Sequence, residues 1–249
     1  MKKATAVMAL LALTLSCKEE GKKEITEAEA VSKTVDSEDA AVWTPLFNGK
    51  DFTGWHEYGR NGVSAHWKVE GEALVFHPPE DREDNAHYNL ITDGEYTNFE
   101  LSLDWRIAPG GNSGIFWGVK ETPDIGQPYA SGPEIQVLDN AAHPDAKNGP
   151  NRHAGALYDM VPPNKDVTKP AGEWNTTVIR VDHNKNQGTV MMNGEKIAEF
   201  AVNGPEWDAM VANSKFNGWD HFGKYPTGKI GLQDHGDVVA YRNIKIKEL

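Results

Sequence analysis

Apolar and polar side chains alternate along short runs that Gly, Asn and Pro separate. The clearest is "NFELSLDWRIA", with Phe99, Leu101, Leu103, Trp105 and Ile107 on one face and Glu100, Ser102, Asp104 and Arg106 on the other. A period of two is that of a half-buried β-strand. "HWKVEGEALVF" reads as a hairpin turning near Glu70 and Gly71, and "TVMMNGEKIAEF" as a second hairpin around Asn193 and Gly194. "WNTTVIRVDHN" and "VVAYRNIKIKEL" add two more strands. Only "GPEWDAMVAN" reads as a helix, with Pro205 suited to its first turn. Many closely spaced strands with one short helix predict an all-β fold, a jelly-roll sandwich of two antiparallel sheets. The run from Asp139 to Glu173 has several Pro and little periodicity, and an irregular segment of that length in a compact domain is usually a functional loop.

One strand breaks the simple pattern. In "GPEIQVLDN", Glu134, Gln136 and Leu138 point one way while Ile135, Val137 and Asp139 point the other. A carboxylate and a carboxamide side by side fit a sugar-binding site, an acid/base site or the solvated side of a sheet.

The ends of the sequence change the picture. "MKKATAVMALLALTLSC" carries two Lys and then an apolar run too short for the roughly 20 residues of a membrane span, so residues 1–16 read as a signal peptide. "LTLSC" resembles a relaxed bacterial lipobox, which implies lipidation at Cys17, the single cysteine of the chain. No intramolecular disulfide can form. Between Lys18 and Val42 stand four Lys and eight acidic residues with no aromatic, so residues 17–42 read as a disordered acidic tether. Residues 43–249, which hold all eight Trp, form the expected domain. The expectation is an exported lipoprotein anchored in the outer membrane, on its periplasmic or cell-surface face. With 37 acidic against 25 basic residues and no basic patch, nucleic acid is not an expected partner.

Several stretches in order, "LFNGKDFTGWH", "GNSGIFWGV", "GPEIQVLDN", "GALYDMVPP", "PAGEWNTTVIRV", "VMMNGEKI" and "GKIGLQDHGDVVAYRNIKI", resemble the 3-keto-disaccharide hydrolase domain family. The resemblance runs from about Leu46 to Ile246. It implies a concanavalin-like jelly roll and chemistry on sugars already oxidised to a ketone at C3. The ketone acidifies the C2 proton, so a base can remove it and the C1 leaving group departs by elimination. Water can then add back, for a net hydrolysis.

Elimination needs a base near C2, a donor for the C3 oxygen and help for the leaving oxygen. Glu134 and His235, the latter in the Gly-flanked turn "GLQDHGD", are the expected catalytic pair. Arg106, Asn112, Ser113, Gln136, Asp139, Tyr158, Gln233 and Asp234 are the candidate substrate-binding residues. Plainer roles stand beside each: a turn cap for His235, a solvated face for Arg106, turn chemistry for Asn112 and Ser113, a core tyrosine for Tyr158.

"EIQVLD" also resembles the strand motif of laminarinase-type glycosidases. There, however, the middle residue is an acid and here it is Gln136, while Glu134 and Asp139 fall on opposite faces, roughly 16 Å apart along an extended strand. A retaining pair stands only about 5 to 5.5 Å apart. A non-catalytic lectin-like module is the other alternative, since the same fold serves both. The nine His are scattered singly and no ligand spacing marks a metal site, so no cofactor is expected, although ligands drawn from separate strands escape such a test. The sequence has no Gly-rich dinucleotide fingerprint, so a separate oxidoreductase is expected to supply the oxidised glycoside.

Overall fold

A computed structural model of the protein describes residues 42–83 and 86–249. The expected signal peptide, Cys17 and the tether up to residue 41 lie outside the described residues. Among the described residues thirteen strands run in the order β1 Thr44–Pro45, β2 Trp55–Glu57, β3 Trp67–Glu70, β4 Ala73–Phe76, β5 Leu90–Thr92, β6 Phe99–Ile107, β7 Asn112–Val119, β8 Glu134–Leu138, β9 Asn175–Asp182, β10 Gln187–Met192, β11 Glu195–Phe200, β12 Lys229–Leu232 and β13 Val239–Glu248. Among the described residues one helix, α1 Gly204–Ala212, follows β11 and carries Pro205 in its first turn.

The strands make two sheets in which every pairing is antiparallel. The larger has the order β11-β10-β9-β6-β13-β4-β3, with β1 also on β13; the smaller has the order β2-β5-β12-β7-β8. Both expected hairpins form. Gly71 and Glu72 join β3 to β4 with φ of 54° and 62°, and Asn193 and Gly194 join β10 to β11 with φ of 51° and 85°. Two successive positive φ values make the turn that matches the twist of a two-residue hairpin, which is why Gly and Asn stand there.

The apolar stripe of β6 is wholly buried and packs in one core with Ile115 and Trp117 of β7, Ile135 and Val137 of β8, and Leu232 of β12. The alternate residues of β7 and β8 therefore face away from the large sheet. On that outer side Phe116 joins Ile91 and Val119 in a separate cluster, and beside it the polar positions of β8 come to lie.

The long irregular run contains two short 3₁₀ turns, Pro144–Asn148 and Pro150–Arg152, before it returns to the sheet. Gly155 N–H donates to the Gln136 carbonyl (2.8 Å), Gln136 N–H to that of Ala156 (3.1 Å) and Tyr158 N–H to that of Glu134 (2.9 Å). Residues 155–158 thus cover the open edge of β8 and hang Tyr158 beside it.

Candidate active site

Above the outer face of β7 and β8 is a cavity of about 460 Å³, within the range of small-molecule sites. The register places Gly114 opposite Gln136 and Phe116 opposite Glu134. Gly114 is there because Glu134 lies directly over it: a Cβ on residue 114 would stand 2.0 Å from Glu134 Oε1. The glycine opens a slot in the sheet floor that only a side chain from the next strand fills.

Glu134 is 7% exposed, and burial pushes its pKa up to about 8; Asp145 reinforces the rise while Lys215 and Arg152 oppose it. The carboxyl is accordingly protonated at neutral pH. Around it Asn112 Oδ1, Gln136 Oε1 and Gln233 Oε1 are buried without a hydrogen-bond partner among the described residues, and so is Arg82 Nη1. Buried polar atoms are nearly always paired, so four unpaired ones on residues lining one cavity mark a place where polar bonding is left incomplete.

His235 stands exposed at the cavity wall, in the turn after β12. Desolvation lowers its pKa from 6.5; Asp237 opposes the fall and His143 and Arg82 add to it, while Asp145 acts against them. The ring is therefore neutral at pH 7 and can accept a proton. Asp234, next to it, is buried, with Oδ1 held by Arg82 Nη2 (2.9 Å) and Oδ2 accepting the Tyr88 N–H. Burial raises the Asp234 pKa to about 6 against the pull of Arg82. Both oxygens are committed to fastening Arg82 and Tyr88 to the His235 turn.

Tyr158 also lines the cavity, but its hydroxyl is occupied: it accepts from Arg152 Nη1 (2.6 Å) and donates to Asp145 Oδ2 (2.9 Å). Its ring faces Lys215, whose Nζ lies 4.3 Å from the Tyr158 centroid and 5.1 Å from that of Phe216.

Three expected residues lie elsewhere. Ser113 points into the core between the sheets, where its hydroxyl donates to the Gln233 carbonyl (2.6 Å) and meets the Tyr241 hydroxyl (2.7 Å). It adjoins Asn112 in a strand, so the two cannot share a face. Arg106 is exposed on the large sheet, 4.8 Å over the Trp174 ring. Asp139 caps a turn, with Oδ2 accepting Gly110 N–H (2.7 Å) and Oδ1 accepting Ala141 N–H (3.1 Å).

Glu134, Gln136, Asn112, Tyr158, Gln233, Asp234 and His235 do converge on the one cavity. Sequence reading missed Arg82, Tyr129, Lys215 and Trp219, which also line it. All four come from segments outside the strands, where no periodicity assigns a face; the single signal was a lysine set among aromatics in "SKFNGW".

His143, His235 and Asp237 bring three ligating atoms within 4.8 Å of one another. Asp237 Oδ2 already accepts the Asn112 N–H (3.0 Å), and His143 Nδ1 accepts that of Asp145 (3.1 Å). That donor set fits a hydrogen-bonded corner better than a cation site.

Residues 42–247 match the family model of the 3-keto-alpha-glucoside-1,2-lyase-like domain. The chain belongs to this family. Like it in sequence is a 3-keto-disaccharide hydrolase of Bacteroides thetaiotaomicron, 37% identical over 235 residues that cover 85% of this chain and 80% of the relative. Among solved structures, a candidate glycosyl hydrolase from Parabacteroides distasonis superposes with a TM-score of 0.75 at 32% identity, covering 83% of this chain and 94% of that one. A Bacillus subtilis protein with a galectin-like fold superposes with a TM-score of 0.52 at 14% identity, over 83% of this chain and 94% of that chain, and speaks for the fold alone. In this lyase-like domain, the sandwich carries its cavity on the outer face of the smaller sheet.

Proposed function

We propose that the protein is a glycan-degrading hydrolase that cleaves 3-keto glycosides by elimination, with water adding back. The observation that carries the reading is the pairing, in one cavity, of a protonated carboxyl with a neutral imidazole. Environments that push two pKa values apart assign the roles: His235 takes the C2 proton and Glu134 gives its proton to the departing C1 oxygen. The unpartnered amides of Asn112, Gln136 and Gln233 hold sugar hydroxyls, and Tyr129 and Trp219 offer rings for the sugar face. A lyase-like family and a relative named a hydrolase agree if elimination is followed by hydration.

The paired-carboxylate mechanism of ordinary glycosidases finds little support. Asp139 lies outside the cavity, and Asp234, the other carboxylate lining it, has both oxygens engaged. We further propose that a separate oxidoreductase makes the ketone and that a lipid on Cys17 holds the exported domain at the outer membrane.

The test compares a 3-keto-disaccharide with the same disaccharide unoxidised, in deuterium oxide. Cleavage of the keto sugar alone, with deuterium at C2 of the product, is expected. Cleavage without C2 deuterium favours direct displacement at C1, and binding without cleavage favours a lectin-like module.

A further inference from the structure

The elimination just described leaves one charge without a partner. When the C2–H bond breaks, its electron pair forms C2=C3 and the carbonyl pair moves onto the C3 oxygen. Neither His235 nor Glu134, each already handling a proton, is free to stabilise that oxygen. In water-excluded sites a charge of this kind is met by a donor fixed in advance, and such donors account for a large share of the rate.

Lys215 has the properties such a donor needs. Its Nζ makes no hydrogen bond or ion pair among the described residues, although it lines the same cavity as Glu134. It rests instead on the π faces of Tyr158 and Phe216, which favour a cation without satisfying its three N–H donors. Its position is fixed from behind: Lys215 N–H donates to Asp159 Oδ2 (2.7 Å), and Asp159 Oδ1 is paired with Arg152 (2.7 Å), which also binds the Tyr158 hydroxyl. One network therefore sets both the lysine backbone and the ring beneath its ammonium. Desolvation lowers the Lys215 pKa from 10.5 and Arg152 adds to the fall, while Asp159 and Asp145, and Glu134 once it has given up its proton, oppose it.

We propose that Lys215 is the electrophilic residue of the reaction: its ammonium donates to the C3 oxygen of a 3-keto sugar and neutralises the enolate formed there. The proposal rests on the elimination reading. The proton goes from C2 to His235. As the enolate collapses, C3=O re-forms, the C2=C3 pair shifts to C1=C2, and the C1–O bond breaks with its pair on the leaving oxygen, which takes the Glu134 proton. C1 and C3 flank C2, so an acid and an electrophile that line one cavity suit the geometry. The same contact makes the site selective, because a hydroxyl at C3 develops no charge for the ammonium to meet.

The experiment isolates the first half of the reaction. A 3-keto-1,5-anhydrohexitol has the acidic C2 proton but no leaving group at C1, and its C2 exchange in deuterium oxide is followed by proton NMR. Wild-type enzyme is expected to catalyse exchange, Lys215→Met to lose at least about 100-fold, and Lys215→Arg to recover part of the loss. Thermal denaturation checks that each variant is folded. Exchange by Lys215→Met at the wild-type rate would overturn the proposal while leaving elimination intact. No exchange by wild type would overturn the elimination reading and this proposal together. A stable adduct on Lys215 after borohydride treatment with the keto sugar would also overturn it, since the lysine would then act as an amine nucleophile.

Discussion

Replacing Glu134 by Gln should make the protein more stable and nearly inactive. The side chain is buried over Gly114 and its pKa stands at about 8, against 4.5 for an unperturbed glutamic acid. In the unfolded chain the group loses its proton above pH 4.5, whereas in the folded state it keeps it until pH 8. Folding must therefore recapture a proton, and stability falls as pH rises from 4.5 towards 8 before levelling. At about 1.4 kcal/mol per unit, the penalty is roughly 1 kcal/mol at pH 5 and roughly 3 kcal/mol at pH 7. Gln has nearly the same shape as the protonated acid and does not titrate, so it escapes the penalty. For a domain of this size about 3 kcal/mol corresponds to a rise of roughly 6 to 12 °C in Tm. Paired thermal scans of wild type and Glu134→Gln from pH 5 to 9 cancel the titrating groups that do not interact with Glu134. The gap between them should open with pH and stop growing above pH 8. Turnover on a 3-keto glycoside should fall by about 10² to 10⁴, the usual worth of a positioned acid. A gap that does not change with pH, or a variant less stable than wild type at pH 7, would refute the reasoning.

Two further outcomes are expected. The rate should depend on pH as a bell: the lower limb falls below the depressed pKa of His235, set by desolvation among Asp237, His143, Arg82 and Asp145, and the upper limb falls near 8 as Glu134, among Lys215, Asp145 and Arg152, loses its proton; kcat/KM against pH for wild type and Glu134→Gln reads this out, with the upper limb absent from the variant's residual activity. Cys17→Ser should move the protein from the membrane to the soluble fraction of cells while leaving Tm unchanged, and equal membrane retention would sink the lipid anchor.

The sandwich was legible because period-two alternation and positive-φ turn residues are local signals. Phe99 to Ile107 declares one buried face, and Asn193-Gly194 declares its turn. The polar face of β8 was legible for the same reason, since Glu134 and Gln136 break a pattern that Ile135 and Val137 establish. Which sheet a strand joins is not local. Arg106 alternates as cleanly as Gln136 does, yet β6 belongs to the opposite sheet and turns its polar face outward. Ser113 was separable from Asn112 by the alternation itself, which allows only one of two neighbours into the cavity. Lys215 and Arg82 come from segments whose direction depends on tertiary contacts, and the aromatics beside Lys215 are the one local sign that either belongs to a site.

The three backbone bonds that fasten residues 155–158 along β8 have a consequence for solubility. A strand at the border of a sheet offers unpaired N–H and C=O groups to any extended chain that arrives, and recruitment of this kind leads to aggregation. The strand that carries Glu134 would be such a border, and the stretch that occupies it is the one that supplies Tyr158. Substitutions that loosen residues 155–158 should thus bring precipitation and lost turnover together, because one segment both guards the sheet and shapes the cavity.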